Sequence, residues 1–131
     1  MTKLDDRTAE IIRRFHHSWT DTETRYDDLI QKQSGFEYLR PLRQFIQKLK
    51  SNGENNFFRL GTSMHTLIIS RSVDHGLRKD QKQIQIDTIG IGDFEVTLKD
   101  GEKTYRQYRL SSLDDIKLLK MLTTLKHTLV D

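Results

Sequence analysis

Between residues 57 and 110 the apolar positions change from helical spacing to strict alternation, and this change limits the chain to one class of fold. Ile84-x-Ile86 and Phe94-x-Val96-x-Leu98 alternate with polar neighbours, among them Glu95, Thr97 and Lys99. Alternation of this kind marks half-buried strands, whereas apolar residues three and four apart mark helices. Helical spacing precedes the block, and Ser111-Ser112 opens a final apolar helix after it. The order predicts an α+β fold: two to three N-terminal helices, a four- to five-stranded antiparallel meander, and one C-terminal helix packed on the sheet. The length prior favours a single domain over residues 1–131, divided as 1–53, 54–110 and 111–131.

Leu4, Ile11, Phe15, Trp19, Tyr26, Leu29 and Ile30 trace one helical stripe. Thr20-Asp21-Thr22-Glu23 reads as a capping box, and Ser18 and Thr22 are poor mid-helix residues. The expectation is therefore two nearly continuous helices, over about 3–19 and 21–33. Ser34-Gly35 breaks the pattern, and Leu39, Leu42, Phe45, Ile46 and Leu49 resume it. Pro41 suits a first helical turn, and Gly53 after Lys48 and Lys50 suits a left-handed helix end.

Candidate strands are 57–60, 64–71, 83–89, 94–99 and 105–110, with a turn at Gly61-Thr62-Ser63. Asp100-Gly101 is the clearest hairpin signal. A two-residue loop there would put Tyr108 and Leu110 opposite in face to Phe94, Val96 and Leu98. A three-residue loop with Gly101 left-handed puts them all on one face and buries more apolar surface, so that register is expected. In the last helix, Ser111 and Ser112 are the expected caps. Leu118, Leu122, Leu125 and Leu129 cluster on one side, apart from Leu113, Ile116 and Leu119. That spread suggests a helix with two neighbours and makes the four leucines the candidate oligomer interface.

Composition narrows the function. Lys and Arg number 22 against 19 Asp and Glu, for a net charge of +3. The excess is spread along the chain, ten basic and nine acidic residues to position 56, then twelve and ten. Neither half is a basic arm, which argues against a duplex-binding surface. The absence of cysteine excludes disulfides, thiolate metal sites and a cysteine nucleophile. Residues 1–14 mix both charges without an apolar core, so no signal peptide is expected, and no run approaches the roughly 18 apolar residues of a membrane span. A cytoplasmic location is the expectation.

Three places could carry chemistry. His17 and Asp21 share a helix face, but His16 points about 100° away, so a metal would need a distant third ligand and none is expected. The long connection 72–80 offers Asp74 and His75 as an acid–base pair, with Arg71, Arg78 and Lys79 as anion receivers around Gly76. The plainer reading is a solvated hairpin tip. Tyr105-Arg106-Gln107-Tyr108-Arg109, with Arg59 on another strand, interleaves aromatics and cations as single-strand nucleic-acid binding requires. Alternation divides that set, leaving Tyr105 and Arg109 on one face and Arg106 and Tyr108 on the other. No G-x-S-x-G elbow, phosphate loop or H-E-x-x-H pattern occurs.

The strand-meander-then-helix order over about residues 57–131 resembles, in layout alone, single-strand nucleic-acid binders of the whirly type. The resemblance implies nucleic-acid binding by the sheet; the residues offered for it, Arg59, Tyr105, Arg106 and Arg109, come from the interleaving of aromatics and cations above. The leading expectation is instead a non-catalytic domain without a cofactor that acts through protein–protein contact or self-association. A sheet-based nucleic-acid binder is the alternative. A small ligand binder or enzyme centred on 72–80 is the third.

Overall fold

The computed structural model describes residues 3–32, 35–73 and 81–128. Helix α1 (Lys3–Lys32) leads through a 3-10 turn at Glu37–Leu39 into α2 (Arg40–Ser51). Five strands follow: β1 (Arg59–Ser63), β2 (Thr66–Ser70), β3 (Lys82–Gly90), β4 (Asp93–Asp100) and β5 (Lys103–Leu110). Helix α3 (Ile116–Lys126) closes the order. The strands form one antiparallel sheet in the order β1-β2-β3-β4-β5, the expected meander.

The N-terminal segment is one helix of 30 residues, not two. The hydroxyls read as signs of a break, Thr20 as a cap and Ser18 as a poor mid-helix residue, bond backward within the helix instead. Thr20 Oγ1 donates to the His16 carbonyl at 3.3 Å and Ser18 Oγ to that of Phe15 at 2.6 Å. Back-bonding of this kind satisfies the side chain without ending the helix. Ser18 and Thr22 lie buried in the same stripe as Phe15, Trp19 and Tyr26, so packing overrides their weak propensity.

The stripe is buried because α1 runs along β1. Trp19 Nε1 donates to the Phe58 carbonyl at 2.8 Å, and the Leu60 amide donates to Ser18 Oγ at 3.0 Å. Farther along, Arg25 Nη2 reaches the Met64 carbonyl at 2.9 Å and the Tyr26 hydroxyl that of His65 at 3.0 Å. Side chains of α1 thus take up one amide of the edge strand itself, that of Leu60, and carbonyls just before and just after it. Arg43 of α2 bonds Asp27 at 2.8 Å and Glu23 at 3.2 Å, tying α2 to α1.

One face of the sheet carries the core. Leu60, Ile69, Ile84 and Leu98 lie in one cross-strand row, Leu67, Ile86 and Val96 in the next. They join a single cluster with Trp19, Tyr26, Leu42, Ile46, Leu118 and Leu125. The opposite face buries Ile68 on β2 but is polar along β4 and β5, where Gln107 Nε2 donates to Thr97 Oγ1 at 3.1 Å and to Glu95 Oε1 at 3.2 Å.

Two turns differ from expectation. Gly61, Thr62 and Ser63 belong to β1, and the reversal falls at Met64-His65 between paired Ser63 and Thr66. Met64 takes a φ of 57° there, which its side chain disfavours, while α1 binds both carbonyls of the turn. Met64→Gly should therefore stabilise the protein by about 0.5–1 kcal/mol, read from chemical denaturation, because the exposed side chain makes little to lose. At the β4–β5 hairpin the favoured register holds: Phe94 pairs Leu110 and Val96 pairs Tyr108. The extra residue is Tyr105, opposite the Leu98/Lys99 step, while Asp100 pairs Lys103 across Gly101 and Glu102. The sequence-based preference for burying Tyr108 and Leu110 was sufficient for the register but not for where the bulge falls.

Helix α3 begins later than its serines suggest. Asp115 is the cap, its carboxylate accepting from the Lys117 amide at 2.9 Å, while Ser112 Oγ accepts from the Asp114 amide at 3.1 Å. Leu113 is buried ahead of the helix, and drawing it into the core sets the later start. Pro41 and Gly53 (φ 81°) sit at the start and end of α2 as expected.

Burial pushes the Tyr26 phenol well above its ordinary value of 10.0. An acid whose folded pKa is raised keeps its full stabilising share below the unfolded pKa and loses it as pH climbs toward the folded one. Stability should thus fall as pH rises past about 10. Tyr26→Phe should cost about 1 kcal/mol at neutral pH through the lost His65 hydrogen bond. It should also flatten the alkaline decline, a difference that urea titrations at neutral and alkaline pH would reveal.

Candidate functional site

The two edges of the sheet are treated differently. Helix α1 occupies the β1 side. At the other edge, Lys103 to Gln107 and Arg109 are exposed and Tyr108 is half-buried. Among the described residues β5 pairs with β4 alone, and no strand pairs with the other side of its backbone. The bulge at Tyr105 interrupts regular pairing and leaves residues 106–110 as the regular run.

Alternation then sorts the side chains of this strand. Arg109 shares the polar face with Glu95 and forms a two-point bond with Asp93, at 3.0 and 2.5 Å. That guanidinium holds the Asp93 carboxyl below the usual carboxylate range. Arg106 and Tyr108 lie in the rows of Leu98 and Val96, on the face that the helices cover. There β5 and α3 form the walls of a cleft of about 570 Å³, lined by Leu98, Arg106, Tyr108, Lys117, Lys120 and Met121 together with Thr123 and Thr124. Arg106 Nη1 donates to the Tyr108 hydroxyl at 3.4 Å, and Lys117 Nζ stands 5.3 Å from the centre of the Tyr108 ring. The Arg106 guanidinium also covers the Tyr105 ring, at 5.5 Å.

The candidate residues read from sequence are thus scattered. Arg59 donates to the Val73 carbonyl, on the far side of the sheet from β5. Of the nucleic-acid set, only Tyr105, Arg106 and Arg109 share a strand, and the two arginines face opposite ways. Asp74, His75, Arg78 and Lys79 lie outside the described residues. Arg71 lies within them and acts as a tie: Nε donates to the Thr128 carbonyl at 2.9 Å and Nη1 to that of Phe57 at 2.8 Å. Burial lowers its pKa.

Leu118, Leu122 and Leu125 pack inside the core of their own chain, and Leu129 is outside the described residues. The apolar side chains that α3 leaves exposed are Ile116 and Leu119. His16 meets Asn56 Oδ1 at 2.7 Å, and His17 meets Asp21 at 3.5 Å. Among the described residues no three metal-binding side chains converge. No helix among them is long and apolar enough to cross a membrane.

Lys117 and Lys120 were missed by sequence reasoning, which read α3 only through its leucines. Their spacing of three on a helix places them on one flank, a signal that gains meaning only once that flank is known to border β5. Set against known protein families, curated proteins and solved structures, the chain matches none of them.

Proposed function

We propose that this chain is a non-catalytic cytoplasmic domain that binds a protein partner along β5. The observation that carries the reading is the asymmetry of the sheet, with α1 bonded along β1 and β5 exposed. A free strand edge offers unpaired main-chain donors and acceptors, and an extended segment of another chain can add to it as a further strand.

A partner of different sequence fits this edge better than a second copy. Two copies of β5 laid side by side would bring Lys103, Arg106 and Arg109 against their own kind, and like charges facing across strands are destabilising. Of the leucines that sequence reasoning offered for self-association, Leu118, Leu122 and Leu125 are taken up by the core. Single-stranded nucleic acid is less favoured, because Arg106 covers the Tyr105 ring and Lys117 the Tyr108 ring, so stacking bases would have to displace them.

Site-specific photo-crosslinking in cells tests the reading. A benzophenone side chain replacing exposed Tyr105 should give a discrete adduct with another protein, and the same group at exposed Thr24 on α1 should not. Equal adducts from both positions, or none from Tyr105, would contradict the reading. An adduct of twice the chain's mass would replace it with self-association, and an adduct with nucleic acid would replace it with the alternative.

A further inference from the structure

Resting on the reading of β5 as the docking edge, we infer that the segment it receives is acidic and extended, with carboxylates at alternate positions. The cleft beside β5 gathers Arg106, Lys117 and Lys120 over an apolar floor of Leu98 and Met121. Among the described residues none of the three cations meets a carboxylate. Arg106 touches only the two tyrosines, and Lys117 has only the Tyr108 ring. Several cations elsewhere are paired with the chain's own acids, as at Arg43, Lys50, Arg109 and Lys126; what sets these three apart is that they converge on one cleft. An unbalanced positive cleft between a free strand edge and a helix is complementary to negative charge arriving on an added strand.

The geometry of a strand sets the spacing. In an added strand every second side chain points to the same face as Arg106 and Tyr108. Acidic residues two apart would therefore enter the cleft together, one toward Arg106 and the next toward the lysines of α3. The intervening side chains would lie on the polar face, where Arg109 is already held by Asp93 and has little to offer a further acid. Alternating acids should consequently bind better than the same acids in a block.

The probe is a fluorescein-labelled ten-residue peptide alternating Glu with Thr, added to the full chain and followed by fluorescence anisotropy. Comparison probes carry Gln for every Glu, the same residues with Glu in one block, and a ten-nucleotide oligo-dT. The alternating Glu peptide should bind about tenfold tighter than the Gln peptide, and its affinity should fall as salt is raised. Arg106→Gln, Lys117→Gln and Lys120→Gln should each weaken it about threefold, with unfolding midpoints unchanged because all three side chains are exposed.

Amide shifts on binding should centre on β5 and α3. Equal binding of the Glu and Gln peptides with shifts at β5 would overturn the charge requirement while leaving the docking edge intact. Binding with shifts away from β5, or no binding by the Glu peptide, would overturn the inference, and the Tyr105 crosslink decides separately whether the edge is used. Tighter binding of the oligonucleotide at the same residues would overturn it in favour of nucleic acid.

Discussion

Trp19→Ala is expected to destabilise the protein by about 4 kcal/mol, more than any other single truncation considered. The indole is 1% exposed and lies in the core cluster with Tyr26, Leu42 and Phe58. Removing it opens a cavity that the rigid helix and sheet around it can close only in part. It also leaves the Phe58 carbonyl without its 2.8 Å donor where the chain enters β1. Against a total stability of roughly 5–15 kcal/mol this is a large fraction, equivalent to roughly 15 °C in melting temperature. Trp19→Phe, which keeps most of the volume but not the donor, should cost about 1–3 kcal/mol. A loss below about 1 kcal/mol for Trp19→Ala in urea denaturation would mean that α1 does not pack on β1 as described.

The second large effect concerns the continuity of α1. Asp21 lies within the 30-residue helix with its side chain 70% exposed, so its side chain matters little and its backbone matters greatly. Asp21→Pro should cost about 3 kcal/mol or more, because the ring clashes with the preceding turn and the amide no longer donates. Asp21→Ala, which loses only the exposed contact with His17, should stay within about 0.5 kcal/mol. Two helices meeting at Thr20 would give the opposite result, since proline is welcome in a first helical turn. The pair of substitutions therefore separates one helix from two by thermal or urea denaturation.

That error in reading α1 has a definite cause. A Ser or Thr inside a helix and one at its start look alike in sequence, because the same hydroxyl can serve either the carbonyl behind it or the amide ahead. What settles Ser18 is the Leu60 amide 42 positions away, a partner that periodicity cannot reveal. The later start of α3 has the same origin, since burial of Leu113 and not local capping chemistry decides it. By contrast the strand order and the β4–β5 register were legible, because alternation ties each residue to a face and one register buries far more apolar surface. Pro41 and Gly53 were legible because their backbone restrictions are local.

The candidate site was legible only in half. The division of Arg106 and Tyr108 from Arg109 follows from parity along β5. The lysines of α3 that complete the cleft come from a different element, and no local pattern states which helix flank lies beside which strand. The openness of β5 was equally hidden, because it depends on where the helices pack against the sheet, which no local pattern states.

The central claim is that α1 closes one edge of this sheet and leaves the other free for a partner. Native-state amide hydrogen exchange, followed residue by residue by NMR on the isolated chain, tests it most directly. The Leu60 amide should be strongly protected although it belongs to an edge strand, because Ser18 Oγ holds it. Along β5 the amides that face away from β4 should exchange rapidly while those bonded to β4 are retained. Rapid exchange at Leu60, or uniform protection along β5, would contradict the account.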